Sequence, residues 1–505
     1  MTEDEFSADV VVIGSGMGGG AIARALASSG ASVLVVERGD YLPREPQNWS
    51  PEEVFLHGRY KNAERWYDVL GNAWFMPGVH YFVGGNTKVY GACLPRLRER
   101  DFEAIEHADG VSPAWPISYG DLEPYYAQAE RMLKVHGDDS GDPTAPPRSG
   151  PYPYPPMEHD AAVAELAASF EHEGLHPFQL PLGVDFSDAG KCIRCRTCDG
   201  FPCRVGAKSD AETAMIAPAL ESPSVRLLTG TRVEKLETDA GGEQVIAAVA
   251  HRGGRTVRIT GSRFVLAAGA VNTTALLLSS ASDTHPRGLA NSSDQLGRNY
   301  MVHNSTFLVG IDPRRRNRST FQKTLGLNDW YFEGGDRSWP LGNVQMLGKL
   351  QGPMVKPARR FVPMPLLEMA TAHSIDLYLT TEDLPRADNR VRVGAGGRIE
   401  VTWRPNNLRP HAQLLRRMRR LLRNAGYPLV FSQRMGIETN SHMCGTAVMG
   451  ADPATSVVDP VGRAHDLRNL WVADSSGFPS SAALNPALTI AANALRIADK
   501  GGLTC

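Results

Sequence analysis

The chain has 505 residues, 42% of them hydrophobic and 21% charged, with a formal net charge of −2. That length exceeds one simple core and calls for a main domain carrying a second one. The near-neutral balance excludes a general polyanion binder, and the basic clusters at 314–316 and 416–420 read as solvated turn and helix faces. No apolar stretch approaches the ~18 residues needed to span a bilayer. The acidic start MTEDEFSADV lacks the basic and apolar regions of a signal peptide. A soluble cytoplasmic protein with no nucleic-acid or membrane partner is the expectation.

Residues 9–13 (DVVVI) are a short β-branched run suited to a buried parallel strand. Gly14-Ser15-Gly16-Met17-Gly18-Gly19 follows at once, and residues 21–28 read as a helix of small residues. In such a unit Gly14 permits the tight turn, Gly16 lets backbone approach a pyrophosphate and Gly19 lets helix pack on strand, with the phosphates at the helix N-terminus. A second strand, 32–36, ends in Glu37, where a carboxylate accepts ribose hydroxyls. One glycine motif is weak evidence, but two strands and an acid at this spacing point to a dinucleotide site.

Further along, the Pro-rich run 143–156 reads as an extended surface connection. Residues 225–233, 245–249 and 255–260 predict a small β-meander. Residues 263–270 (RFVLAAGA) then predict a buried strand running into a glycine turn, with a helix through Leu278. Between 306 and 434 come predicted strands at 374–380 and 390–393 and a basic amphipathic helix near 409–424. These residues are assigned to a substrate domain, inserted between cofactor-binding portions 1–305 and 435–505. The stretch 352–367, with Pro353, Pro357, Pro363 and Pro365 among apolar residues, predicts a loop that covers a bound ring or aglycone, or an ordinary packed surface loop.

Two polar groups stand out near the C-terminus: His442 in NSHMCGTAVMG and Asn485 in SSAALNPALTI. A neutral imidazole is a suitable proton acceptor near neutral pH, and an asparagine amide donates to the same oxygen and stabilises its developing charge. The alternatives are a satisfied core histidine and a helix N-cap before Pro486. Cys192, Cys195, Cys198 and Cys203 crowd into KCIRCRTCDGFPCRVG. They read as structural thiols, as disulfides, as iron–sulfur ligands or as a zinc site. Cys93, Cys444 and Cys505 have no partner pattern.

Five ordered blocks together resemble the glucose-methanol-choline (GMC) oxidoreductases: DVVVIGSGMGGGAIARAL with Glu37-Arg38-Gly39, GGNTKVYGACLPR at 84–96, AWPISYGDLEPYY at 114–126, FVLAAGAVNTTALLL at 264–278, and the C-terminal segments holding His442 and Asn485. The resemblance implies an α/β (α+β) fold, with a Rossmann-type FAD-binding domain and an inserted substrate domain built on an antiparallel sheet. It also implies oxidation of an alcohol or sugar hydroxyl, with His442 as general base and Asn485 beside it.

The His/Asn tail is similar to those of pyranose oxidases and bacterial glycoside 3-oxidases, although sterol oxidases of the family share the pair. The implied activity is oxidation of a secondary hydroxyl, C2 or C3, of a pyranose or glycoside, with O2 reduced to H2O2 or with another acceptor. Carried over by resemblance, Gly14, Gly16 and Gly19 hold the pyrophosphate and Glu37 the ribose, while Val233 lies at the adenine. Asp474 and the turn Asn485, Pro486 and Thr489 lie at the pyrophosphate or ring side. Ser15, Arg38, Gly85, Asn86, Thr87, Val89, Ala268 and Gly269 complete the expected cofactor lining. Val89 stands where covalently flavinylated relatives carry a histidine, so FAD is expected to be non-covalent. Gln345 and Thr381 are the expected sugar-hydroxyl ligands, and no metal ligand is assigned.

Overall fold

The computed structural model describes residues 5–187, 189–334 and 339–503. The β-branched runs at the start form adjacent parallel strands, Glu5–Ile13 and Val33–Val36, with Val10, Val11, Val12, Val33 and Val35 fully buried. They are central to a seven-stranded sheet. Its order is Val225–Leu228, Val33–Val36, Glu5–Ile13, Arg255–Leu266, Val245–Arg252 and Thr231–Thr238, with Leu470–Val472 pairing beside the end of Arg255–Leu266. Continuous apolar runs suit this position because such strands are covered on both faces. Helices Met17–Leu26, Tyr119–Met132 and Ala487–Lys500 contribute Ile22, Leu26, Leu122, Tyr126, Leu488 and Leu495 to the same core.

Two details correct the expected meander. Residues 225–233 split at Gly230: Val225–Leu228 joins Val33–Val36 in parallel, and Thr231–Thr238 pairs antiparallel with Val245–Arg252. The separately predicted strands at 255–260 and 263–266 are one strand, Arg255–Leu266. Gly261 permits this continuity, since a Cβ there would stand 2.8 Å from the Val11 side chain on the neighbouring strand.

A second, antiparallel sheet runs Leu429–Arg434, Asn304–Ile311, Ser374–Thr381, Asn343–Met346, Leu325–Leu327 and Pro177–Gln179. Side chains alternate across it. Leu308, Leu377, Leu379, Val344 and Met346 pack with Leu414 and Met418 of helix Leu408–Asn424, and with Val163 and Phe170 of helix Ala161–His172. The opposite face carries Ser305, Tyr378, Thr380 and Gln345, and it is this face that meets the 481–485 segment. Helix Ala161–His172 and strand Pro177–Gln179 join this layer from outside residues 306–434. A smaller sheet likewise brings Trp66–Asp68 and Ala73–Phe75 to Ile399–Thr402 and Arg390–Val393.

The expected covering loop at 352–367 is instead largely helical. It forms Gly352–Val355, a tight turn at Lys356–Arg359, and the start of Met364–Ala372. Pro353, Pro357 and Pro365 occupy first-turn positions, where the missing N–H costs nothing and the fixed φ is already helical.

Candidate active site

The N-terminal glycines form a cradle. Gly14 has φ +106°, and a Cβ there would meet the Ala267 carbonyl of the adjacent strand. A Cβ on Gly19 would overlap the Gly14 carbonyl oxygen, whereas one on Gly16 would find nothing within 4 Å. Gly14 and Gly19 thus close the strand–helix joint, and Gly16 leaves a free side. Helix Met17–Leu26 starts at Gly16 with no side-chain cap and no acid in its first turn. Its leading N–H groups and positive dipole end are left for an anion, so the residues present fit the pyrophosphate of FAD.

Glu37 is locked beside this cradle. One carboxylate oxygen accepts from Ser15 N (3.1 Å) and Ser15 Oγ (2.6 Å), and the other accepts from Gly39 N (2.9 Å). Ser15 Oγ also accepts from Gly84 N at 3.2 Å, which ties the Gly84-Gly85 turn over the cradle. Gly85 approaches so closely that a Cβ there would lie 3.3 Å from Gly16 Cα. Val233 lies half-buried on strand Thr231–Thr238, opposite Ala250.

Several expected cofactor residues prove to hold the site's frame. Arg38 pairs with Glu64 (2.6 Å) and lies 3.6 Å over the centre of the Tyr81 ring. The Asn86 amide accepts from His80 N at 2.8 Å and donates to Gly78 O at 3.1 Å. Thr87 Oγ1 donates to Gly84 O (2.6 Å) and accepts from Ala211 N (2.9 Å). Half-buried Val89 ends that turn, its N–H donating to Asn86 O at 3.2 Å. The Asp474 carboxylate takes four protein donors: Gly269 N (2.9 Å), Thr273 Oγ1 (2.6 Å), Ser476 N (2.9 Å) and Ser476 Oγ (2.5 Å). It therefore clamps the turn at Ala268 and Gly269 to the segment after Leu470–Val472, and burial raises its pKa. Thr489 Oγ1 is shared with the buried Tyr126 hydroxyl at 2.8 Å.

The chemistry-bearing groups sit on a laced loop. His442 Nδ1 lies 3.2 Å from Nδ1 of His303, whose Nε2 lies 3.0 Å from the Ser481 carbonyl oxygen. Four residues after Ser481, Asn485 Oδ1 accepts from Gln345 Nε2 at 2.8 Å. Between them Ala483 is held twice: its carbonyl accepts from Thr380 Oγ1 at 2.6 Å, and its N–H donates to the Tyr331 hydroxyl at 3.3 Å. One hydrogen-bonded chain thus connects the His442 side to the Asn485 side. Burial, then the neighbouring His303, then Lys323 hold His442 down at about 3, so its imidazole is neutral at ordinary pH.

Asn485 does not cap the final helix. Its oxygen is engaged with Gln345, and Pro486 immediately precedes helix Ala487–Lys500, whose N-terminus has neither a side-chain cap nor an acid in its first turn. That end remains available to stabilise negative charge.

Gln345 was legible as a polar strand residue, and its buried Oε1 has no hydrogen-bond partner among the described residues. Thr381, the other expected sugar ligand, has its hydroxyl engaged within the protein. It lies one residue beyond Thr380 and so faces the helix side, where its Oγ1 donates to Leu341 O (2.6 Å) and meets His411 Nδ1 (3.0 Å). His303 was missed: no spacing marks it, because its partner lies 139 residues away.

The six described cysteines are free, which removes disulfides among them; Cys505 lies outside the described residues. Cys203 Sγ accepts from Ala207 N (3.2 Å) and Lys208 N (3.3 Å). Burial pushes the Cys198 thiol up to about 12. Among the described residues no group of three or more His, Cys, Asp or Glu is gathered to hold a metal ion.

Sequence profiles of the GMC oxidoreductase family match residues 158–305 and 385–494. Over 98% of this chain and 91% of the relative, it is 30% identical to paromamine 6'-oxidase of Streptomyces fradiae. The chain belongs to the GMC oxidoreductases. A second relative, 6'''-hydroxyparomomycin C oxidase of Streptomyces lividus, is 32% identical over 97% of this chain and 90% of its own. The fructose dehydrogenase large subunit of Gluconobacter japonicus is 27% identical over 99% and 98%. Among solved structures, pyridoxine 4-oxidase from Mesorbium loti superposes with a TM-score of 0.69 at 20% identity, covering 97% of this chain and 98% of that one, a likeness of fold. As a GMC oxidoreductase the protein is an FAD-dependent flavoenzyme acting on CH–OH groups. No described helix is long and apolar enough to cross a membrane.

Proposed function

We propose that this GMC oxidoreductase oxidises a secondary hydroxyl, at C2 or C3, of a pyranose or glycoside to a keto-sugar on a dissociable FAD. Residues 1–305 and 435–505 supply most of the cofactor side, and 306–434, joined by Ala161–His172 and Pro177–Gln179, the substrate side. The observation that carries the reading is the Gln345–Asn485 pair. Because Asn485 Oδ1 is taken, its amide N–H groups are left for the reacting oxygen, and the unpartnered buried Oε1 of Gln345 is left to accept from a second hydroxyl. Two polar groups reading adjacent hydroxyls suit a polyol ring. A site built on such bonds rejects an analogue lacking the hydroxyl far more strongly than an apolar pocket rejects a missing methylene.

His442, neutral, takes the hydroxyl proton, and Asn485 N–H steadies the charge that develops on the oxygen. FAD, when bound, supplies the hydride acceptor. Val89, with no nucleophile, supports a non-covalent flavin. O2, reduced to H2O2, is the proposed electron acceptor.

A second reading, oxidation of a primary exocyclic hydroxyl, is favoured by the 6' position in the name of the Streptomyces fradiae relative, since carbon 6 of a hexopyranose lies outside the ring. Anaerobic mixing with a panel of sugars, glycosides, sterols and simple alcohols, followed by NMR of the product, tests both. Flavin bleaching by a pyranose with a ring ketone as product is the expected result. An aldehyde product selects the second reading, and bleaching by sterols or simple alcohols alone rejects both. Oxygen uptake with peroxide formation then tests the acceptor.

A further inference from the structure

We infer that His303 is a positioning residue that sets the tautomer of His442, so that His442 presents a bare Nε2 to the substrate. The inference rests on the reading of His442 as the base. It follows from counting protons along the chain His442–His303–Ser481. The Ser481 carbonyl can only accept, so His303 Nε2, 3.0 Å away, carries the ring proton. With both rings neutral, His303 Nδ1 is then an unprotonated acceptor. The 3.2 Å contact between the two Nδ1 atoms needs one hydrogen between them, and that hydrogen belongs to His442 Nδ1. His442 Nε2 is left with a lone pair, which is the state a general base requires.

The surroundings support this assignment. His303 is buried at 2% exposure, and desolvation lowers its pKa and keeps it neutral. The two rings stand edge to face, with centroids 5.0 Å apart and planes at 75°. The Nδ1–Nδ1 contact between them is within hydrogen-bond distance. An unconstrained histidine favours the opposite tautomer, with the proton on Nε2, and in that form it would hold out a donor where an acceptor is needed. His303 reverses this preference by offering a lone pair and no proton. The arrangement also joins two parts of the chain that are distant in sequence. His303 precedes strand Asn304–Ile311, and Ser481 lies on the loop that leads to Asn485. The His442 tautomer and the Asn485 loop are thereby fixed by the same side chain.

The test uses holoenzyme labelled with 15N at histidine, with His442 assigned by its loss from the His442→Ala spectrum. The expected result is a protonated Nδ1 and unprotonated Nε2 for His442, and the reverse for His303. In His303→Phe, which keeps ring volume but no acceptor, His442 is expected to shift to the Nε2–H form. Anaerobic flavin reduction should fall by about 10²-fold or more, as when other orienting partners of a catalytic histidine are removed. His303→Asn, whose Oδ1 occupies the acceptor position, is expected to restore the Nδ1–H tautomer and to reduce flavin within about tenfold of the native rate. A native His442 protonated on Nε2, or a His303→Phe protein with unchanged tautomer and rate, overturns the inference. If His303→Phe does not retain FAD, the native spectrum and His303→Asn decide it. Tautomers as stated, with no sugar able to bleach the flavin, would overturn the proposed substrate and leave the role of His303 standing.

Discussion

Two glycines of the cradle, three residues apart, should fail in opposite ways when given a methyl group. At Gly16 a Cβ meets no atom within 4 Å, and the backbone, φ −67° and ψ −165°, is open to alanine. Gly16→Ala should therefore leave the apoprotein as stable as the native one, or more stable by about 0.4–1 kcal/mol through the unfolded chain. The same methyl projects into the space assigned to the pyrophosphate, an overpacking cost of about 1–3 kcal/mol. That cost corresponds to an FAD affinity lower by about five- to 150-fold. Gly19→Ala is the converse. Its Cβ overlaps the Gly14 carbonyl oxygen and lies 3.3 Å from Ala267 Cβ, so helix and strand must separate whether or not FAD is bound. Thermal unfolding of the stripped proteins, followed by circular dichroism, and FAD titration by flavin fluorescence separate the two effects. Native FAD affinity in Gly16→Ala, or a native unfolding midpoint for Gly19→Ala apoprotein, would refute the assignment of Gly16 to the cofactor and Gly19 to the joint.

His442→Ala should retain FAD but reduce it about 10²–10⁴-fold more slowly in anaerobic stopped flow. Because His442 is held near 3, flavin reduction should show no loss from base protonation as pH falls from 7 to 5. A tenfold loss per pH unit below 6.5 would show an ordinary, accessible imidazole in its place. His411, buried between Thr306 and Thr381, is lowered to about 4, chiefly by desolvation. Below pH 6.5 the unfolded chain binds a proton there that the folded chain refuses. This contribution is thus complete above 6.5 and declines as pH falls toward 4, by about 3 kcal/mol in all. His411→Leu should show a correspondingly weaker drop in unfolding midpoint between pH 7 and 4.5; an unchanged drop would place the acid sensitivity elsewhere. Acid precipitation should leave the yellow colour in the supernatant, and colour retained in the pellet would contradict non-covalent FAD.

The cradle was legible because its parts are neighbours in sequence. The strand–glycine–helix–strand unit closes within the first 40 residues, and each glycine's role follows from local backbone and packing needs. The order of the two sheets was only partly legible. Strand Arg255–Leu266 looked like two because its N-terminal half alternates as an antiparallel partner and its last three residues, Phe264, Val265 and Leu266, are continuously buried. Prolines at 353, 357 and 365 read as loop, yet the same residue type starts helices.

The sequence by itself determined the family, the cofactor class and the candidacy of His442 and Asn485, through ordered blocks and residue chemistry. Tertiary structure alone decided what those two groups touch. His303 and Gln345 reach them across 139 and 140 residues, separations at which no local periodicity constrains a partner. It also decided which of two adjacent threonines faces the site: Thr380 meets the Ala483 carbonyl and Thr381 meets His411. Side chains on a strand alternate, so a register offset of one residue exchanges substrate side for helix side, and register is a property of paired strands rather than of either one.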